Sequence, residues 1–455
     1  MESKDFGHFY DEHTAYAADF RAITAASYGT YGVKRGLRNE DGTGVLVGLT
    51  EIGDVHGYIL DERERIPVEG RLRYRGINVA DIVDGFQKDG RFGYEEAVYL
   101  LLFGRLPSAS QLQVFSEVLG EARALPQGYA EDLILRQPSS DIMNKLARAV
   151  LAGYSHDRSP EDYATRNLLR QSIELIARFP SLVAYCYQSK RRFIDNASMH
   201  IHPPKAELST AENLLMMIRP HGEYEKIEAE IIDLSLVLHA EHGGGNNSSF
   251  TVRVVSSAYT DTYSAIAAAI GSLKGTRHGG ANNRVMAMMK DIQTNVVHWE
   301  NEGEVRDYLA RLIRGQSGDN SGLIYGMGHA IYTVSDPRAV LLRQKAVDLV
   351  KIKGDGYARE LALYDLIARL TPEVFAEIKK NNKVIAPNVD FYSGLVYKML
   401  GIPPELYTPI FAVSRIAGWC AHRIEELAGE SRIIRPAYKN VLGKQDYLPL
   451  SDRGK

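Results

Sequence analysis

Residues 239–283 read HAEHGGGNNSSFTVRVVSSAYTDTYSAIAAAIGSLKGTRHGGANN, a stretch that sets two histidine-glycine sites on either side of a small-residue helix. His242 ends an apolar helical run and is followed by Gly243, Gly244 and Gly245, so the backbone can turn sharply there and approach a ligand closely. His278 repeats the arrangement with Gly279 and Gly280. Between them Ala265, Ala267, Ala268, Ala269 and Gly271 carry little bulk, which lets a neighbouring helix come near, and this segment is expected to be buried. Taken singly, each histidine reads as a helix-end residue satisfying a carbonyl. The decision rests on what lies downstream, at His329 and Asp390.

Working outward, helical periodicity dominates. Lys226–His239 reads as an amphipathic helix that delivers His242. Phe92–Leu102 is a helix closed by Gly104 and Pro107, and Ile142, Met143, Leu146, Val150 and Leu151 share one helical face. Ile173, Ile176 and Phe179 lead into Leu182–Tyr187. Arg359–Leu370 is expected to stop before Pro372, and Tyr392–Leu427 to be interrupted by Pro403, Pro404 and Pro409. Glu300, Glu302 and Glu304 mark a charged stretch, and Lys379–Lys383 a solvated connection. Val55–Gly76 alone alternates like short strands. His200–Pro204 (HIHPP) reads as a loop, because prolines flank the histidines and no third ligand is near. The fold class is therefore all-α, with one β-hairpin region near the N-terminus, after an arm of about 45 residues with little core of its own.

At 455 residues the chain is long enough for two or three domains. Hydrophobic residues make up 45% and charged residues 24%, as in ordinary globular proteins. A net charge of −3 gives no electrostatic footprint for nucleic acid or an anionic membrane. Two cysteines, Cys186 and Cys420, sit in apolar helical contexts and are expected to be packed thiols of a reducing compartment. The opening MESKDFGHFYDEHTAYAADF reads as neither a secretory signal nor a transit peptide, and no stretch approaches about eighteen consecutive apolar residues. A cytoplasmic location is expected.

Downstream, Ile324–Arg338 reads IYGMGHAIYTVSDPR, where His329 follows Gly326 and Gly328 and Arg338 leaves an Asp336-Pro337 turn. In PNVDFYSG, Asp390 opens a new helix, where a carboxylate has a structural excuse as a cap. Arg415 and Arg435 complete a basic set in the C-terminal block.

Together SLKGTRHGGAN, GMGHAIYTVSDPR, PNVDFYSG, FAVSRIAGWCAHRIEE and LHAEHGGGNNSSFTVR resemble the motifs of the citrate synthase family, in the family's order, over about residues 46–440. The 36 residues from His242 to His278 match its spacing. The resemblance implies a two-domain, largely helical homodimer that condenses acetyl-CoA with oxaloacetate and hydrolyses citryl-CoA, at the entry to the tricarboxylic acid cycle. Between an N-terminal arm (1–45) and a C-terminal tail (441–455) read from the residues themselves, it implies a large domain in two parts (46–280 and 395–440) and a small domain (281–394) that closes over it. Asp390 would take a proton from the acetyl methyl group, His278 would hydrogen-bond the thioester oxygen, and His329 would polarise the oxaloacetate carbonyl. His242, Arg338 and Arg415 would hold the oxaloacetate carboxylates, and Arg435 would reach the neighbouring subunit's site. Many members carry lysine or arginine at the position of Thr333, where it meets CoA phosphates; Lys274 and Arg277 stand in as candidates here.

The residue types suit that chemistry independently. A methyl hydrogen beside a thioester is a very weak acid, so a carboxylate removes it only if the developing oxyanion is stabilised at once. Arginine's planar fork matches a carboxylate through two hydrogen bonds. Arginines and histidines already supply positive charge, so no metal and no cofactor beyond the substrates is called for. Two alternatives stand beside this reading: a 2-methylcitrate synthase using propionyl-CoA, which differs by one methylene in the acyl pocket, and a non-catalytic CoA-binding member of the family. A metal hydrolase would need a spacing such as HExxH, which is lacking.

Overall fold

The computed structural model describes residues 14, 23–39, 42–61, 64–380, 384–429, 432–442 and 444–453. The chain divides into two compact units, Gly48–Ile434 and a second made of the segments up to Val47 and from Arg435 onward. In the second unit the short helix α1 (Ala25–Thr30) buries none of its residues, and Arg38 pairs with Gly44 in an isolated bridge.

The predicted strands form in the Gly48–Ile434 unit. β1 (Gly53–Asp61) and β2 (Glu64–Tyr74) are antiparallel, with a register shift between His56 and Tyr58, and the two-residue β3 (Ile77–Asn78) adds a third strand. Two glycines of this hairpin are required by close packing: a Cβ on Gly57 would lie 2.5 Å from the Ile331 carbonyl oxygen, and one on Gly70 would collide with that of Ser335. Thr333 Oγ1 donates to the Gly57 carbonyl at 2.9 Å and Gly70 N–H to Ser335 Oγ at 3.2 Å. The hairpin thus seats the segment that follows His329.

The rest is helical: α2 (Val79–Lys88), α3 (Tyr94–Phe103), α4 (Ala109–Ala122), α5 (Ile142–Ala152), α6 (Thr165–Phe193), α7 (Thr210–Ile218), α8 (Lys226–His239), α9 (Asn247–Ser256), α10 (Thr262–Leu273), α11 (Ala281–Asn295), α12 (Glu302–Ile313), α13 (Pro337–Lys353), α14 (Asp355–Lys379), α15 (Val389–Met399) and α16 (Tyr407–Ala428). Gly104 in the left-handed region closes α3, as expected. HIHPP is a loop, in which His202 Nε2 lies 3.1 Å from the Arg219 and Pro220 carbonyls. Cys186 and Cys420 are buried free thiols. No helix among the described residues is long and apolar enough to cross a membrane.

Several expectations are corrected. α8 is not amphipathic: it is buried along nearly its whole length, because α2, α3, α7, α13 and α16 surround it. α16 is likewise buried from Tyr407 through Arg423, and these two helices form the centre of the core. In the small-residue helix α10, Ala265 and Ala269 are buried against α5 and α9, whereas Ala267 and Ala268 are half-buried and Gly271 is exposed. Pro372 does not stop its helix, since α14 continues to Lys379 with Leu370, Thr371 and Val374 in the core; burial of that face outweighs the one hydrogen bond lost. Pro409 lies in the first turn of α16, where its missing N–H is not needed, so the break falls at Pro403-Pro404 alone. The charged stretch around Glu302 is helix α12, capped by Asn301. Of the Lys379–Lys383 connection, residues 381–383 lie outside the described residues.

Candidate active site

The end of α8, the starts of α13 and α15, and the turn before α11 converge on one buried centre. Past α8 the chain turns at Gly243, whose φ of 82° favours glycine, and leaves His242 7% exposed. The His242 ring lies 5.1 Å from that of His329 and 5.5 Å from that of Tyr332, and its Nε2 has no protein partner. Burial, reinforced by Arg338, His329, Arg415 and His278, pushes His242 well below the usual imidazole range.

His329 owes its position to two glycines. Gly326 (φ 78°) and Gly328 (φ 89°) let the chain run beside 386–388: Gly328 N–H donates to the Ala386 carbonyl at 2.8 Å, Asn388 N–H to that of Gly326 at 2.9 Å, and Asn388 Nδ2 to that of Gly328 at 2.9 Å. This lacing joins the His329 loop to the start of α15. His329 Nδ1 accepts the N–H groups of Ile331 and Tyr332 at 3.1 and 3.2 Å, which assigns its proton to Nε2.

Asp390 does not cap its helix. Asn388 does, accepting the Asp390 N–H at 3.0 Å, and so leaves the carboxylate to the site. Burial raises Asp390 to about 7, against the pull of Arg338 and Arg415.

The His278 Nε2 lies 2.9 Å from Ser248 Oγ, which also accepts the Trp419 indole N–H at 3.1 Å. The Trp419 N–H takes one lone pair and leaves the hydroxyl proton free, so Ser248 can donate to Nε2, an arrangement that puts the ring proton on Nδ1. Burial, then Arg415, lowers His278 to about 4, so the ring is neutral at ordinary pH.

The two arginines differ. Arg338 is bound by Asp336 through Nε at 3.0 Å and Nη2 at 2.7 Å; burial opposes its charge, and Asp336 outweighs burial. Asp336 also caps α13 and accepts the Val389 N–H at 3.2 Å, tying Arg338 to the Asp390 helix. Arg415 is fully buried and gives Nε to the His239 carbonyl at 2.6 Å, while its Nη1 and Nη2 have no protein partner. Burial lowers it to about 10, where it stays cationic. A buried cation with two unused donors is a site for an anion.

His242, His278, His329, Asp390, Arg338 and Arg415 are thus brought together. Of the three other candidates, Lys274 pairs with Asp141, Arg277 is exposed, and Arg435, which belongs to the second unit, is exposed. Sequence reading missed Ser248 as the partner of His278 and Asp336 as that of Arg338; the DP pair before a helix signalled a cap, but nothing signalled Ser248.

Fold and site together define a largely helical protein with a buried centre that holds two arginines, three histidines and a carboxylate. A family model described as citrate synthase, C-terminal domain, matches residues 20–437, and the chain is an enzyme of the citrate synthase family. It is 34% identical to citrate synthase from Haloferax volcanii, over 92% of this chain and 99% of that one. It is 30% identical to 2-methylcitrate synthase from Shewanella oneidensis, over 84% and 92%. Among solved structures it is similar to Thermoplasma acidophilum citrate synthase in ternary complex with carboxymethyl coenzyme A and oxaloacetate, with TM-score 0.74 and 26% identity over 90% of this chain and 97% of that one. Pyrobaculum aerophilum citrate synthase gives TM-score 0.72 and 30% identity over 90% and 94%.

Proposed function

We propose that the protein condenses acetyl-CoA with oxaloacetate and hydrolyses the citryl thioester to citrate and CoA. The observation that carries this reading is Arg415: a fully buried guanidinium with two unused Nη donors, beside a second buried arginine and two neutral histidines, suits a dicarboxylate.

In this reading Arg338, Arg415 and His242 hold the oxaloacetate carboxylates, and His329 Nε2–H polarises its carbonyl. Asp390 takes the acetyl methyl proton while His278, through Nδ1–H, stabilises the oxygen of the forming enol. The enol carbon attacks the polarised carbonyl, and water then cleaves the thioester. A neutral histidine suits the donor role, because it does not protonate the enolate outright.

The same reading includes a homodimer in which Arg435 completes the partner subunit's site, a cytoplasmic location, a role in the tricarboxylic acid cycle, and no cofactor beyond the substrates. It keeps Lys274 and Arg277 as CoA contacts, with Lys274 released from Asp141 on binding. Residues 281–394 act as a small domain closing over the rest; X-ray scattering unchanged by saturating oxaloacetate and carboxymethyl-CoA would count against that closure. The similarity to a 2-methylcitrate synthase favours one second reading, in which propionyl-CoA is the acyl donor.

The test is CoA-thiol release with oxaloacetate, comparing acetyl-CoA and propionyl-CoA by kcat/KM. Preference for acetyl-CoA supports the first reading and preference for propionyl-CoA the second. No release from either, in a folded protein that binds oxaloacetate, leaves the non-catalytic alternative.

A further inference from the structure

One buried acidic cluster is not used by that chemistry. Glu241, immediately before His242, is fully buried, and its carboxylate lies in a slot between two glycines. A Cβ on Gly53 would come within 2.6 Å of Glu241 Oε1, and one on Gly418 would collide with Oε2 and reach 2.5 Å from the Ala240 carbonyl oxygen. Arg415, Gly418 and His422 are spaced i, i+3, i+7 on α16 and so share the face that meets Glu241.

Glu241 Oε1 accepts from His422 Nε2 at 2.9 Å and from the Gly243 N–H, the residue just past His242. His422 Nδ1 in turn accepts from Arg253 Nη2 at 2.8 Å, which puts its proton on Nε2, toward Glu241. Arg253 is held by Glu425, by Glu426 at 3.0 Å and by Thr50 at 3.1 Å. The other carboxylate oxygen, Oε2, is buried without a partner.

We propose that Glu241 is a positioning residue for the dicarboxylate: seated in the slot left by Gly418 and held by His422, it fixes the backbone around His242 and sets a counter-charge beside Arg415 while leaving both Nη groups to the substrate. A carboxylate hydrogen-bonded to those Nη groups would compete with the ligand. A carboxylate near them but tied to His422 and Gly243 keeps the guanidinium charged without that competition. The charged and titratable groups facing Arg415 are Glu241, Tyr74 on β2, Arg338 on α13 and Asp390 on α15, with His239, His242 and His278 around them. Of these, Glu241 contributes most to holding Arg415 cationic against burial.

The proposal rests on oxaloacetate being the dicarboxylate, and the test separates the two. Wild-type oxaloacetate binding is measured calorimetrically first, and its absence in the folded protein removes the functional reading and this proposal with it. With a wild type that binds, oxaloacetate is titrated calorimetrically into Glu241→Gln from about pH 7 to about pH 10. The expected result is about tenfold weaker oxaloacetate binding, an alkaline loss of binding that sets in about one pH unit earlier, and a KM for acyl-CoA within about twofold of wild type. Glu241→Asp, which restores charge without the reach, is expected to recover the alkaline behaviour but not the neutral affinity. Wild-type oxaloacetate affinity in Glu241→Gln at every pH, or a loss shared equally with acyl-CoA, overturns the proposal. If Glu241→Gln does not fold, His422→Leu is titrated in its place, since it keeps the carboxylate and removes its donor; there, weaker oxaloacetate binding supports the proposal and wild-type affinity overturns it.

Discussion

Asn388 Oδ1 accepts the backbone N–H of Asp390 at 3.0 Å, so the helix that carries this carboxylate in its first turn is capped by the residue two positions earlier. The acid at a helix start is thereby released from the role that composition would give it. Asp390→Asn should therefore fold and bind oxaloacetate, while turnover falls by roughly 10²–10⁴-fold, the usual contribution of a positioned base. Calorimetric titration beside a thiol-release assay checks both halves, and near-normal turnover would remove Asp390 from the chemistry.

Activity should depend on the ionisation of the same group. Asp390 must be deprotonated to act as a base, and burial raises it from 3.8 to about 7. The acidic limb of kcat/KM should accordingly fall near pH 7 and be absent in Asp390→Asn.

That shift has a sign for stability too. Between pH 3.8 and about 7 the folded protein keeps a proton at Asp390 that the unfolded chain has lost, so this group's contribution to stability falls as pH rises through the window. Replacing it with a neutral amide removes the cost of the buried charge. Asp390→Asn should melt above wild type at pH 8 and close to it at pH 4, by scanning calorimetry; equal melting points at both would contradict the shift.

Much of this site was legible in the chain, for a physical reason. His242, His278, His329 and Asp390 each sit beside glycines or at a helix start, where local backbone geometry leaves a trace in neighbouring residues. Their partners leave no such trace. Ser248 reaches His278 across 30 residues and Trp419 across 171, and Glu241 meets His422 across 181, so only tertiary packing selects them. The helices were legible from periodicity, but which of them lie buried on all sides was not. α8 looked amphipathic because Glu228 and Asp233 are polar, yet both are buried: Asp233 accepts the Gly93 and Tyr94 N–H groups at the start of α3, and Glu228 pairs with Arg219 and Lys353.

Ser248→Ala should separate orientation from binding. His278 Nε2 loses its partner and the ring can adopt the other tautomer, so kcat should drop about tenfold while oxaloacetate affinity is retained. Trp419 Nε1–H loses its acceptor in the same variant, at a cost of about 1–3 kcal/mol to stability. Unchanged kcat would mean that Ser248 serves the tryptophan alone.

Gly57 and Gly70 bear on the site without entering it. The segment 331–335 that they seat lies between His329 and the Asp336–Arg338 pair, and a Cβ on Gly70 would run into the Ser335 carbonyl and within 2.8 Å of Tyr332 Cδ1. Backbone cannot yield there as a flexible side chain would, so the segment must lift. Gly70→Ala should lower stability by about 1–3 kcal/mol and raise KM for oxaloacetate more than KM for acyl-CoA, because the displaced segment follows His329 and leads into Arg338. Gly85→Ala is the control: it lies inside α2 with nothing within 4 Å of its added Cβ. Alanine there should be neutral or stabilising by about 0.5–1 kcal/mol. If Gly70→Ala behaves like Gly85→Ala in melting point and in both KM values, the hairpin is not what holds His329 in place.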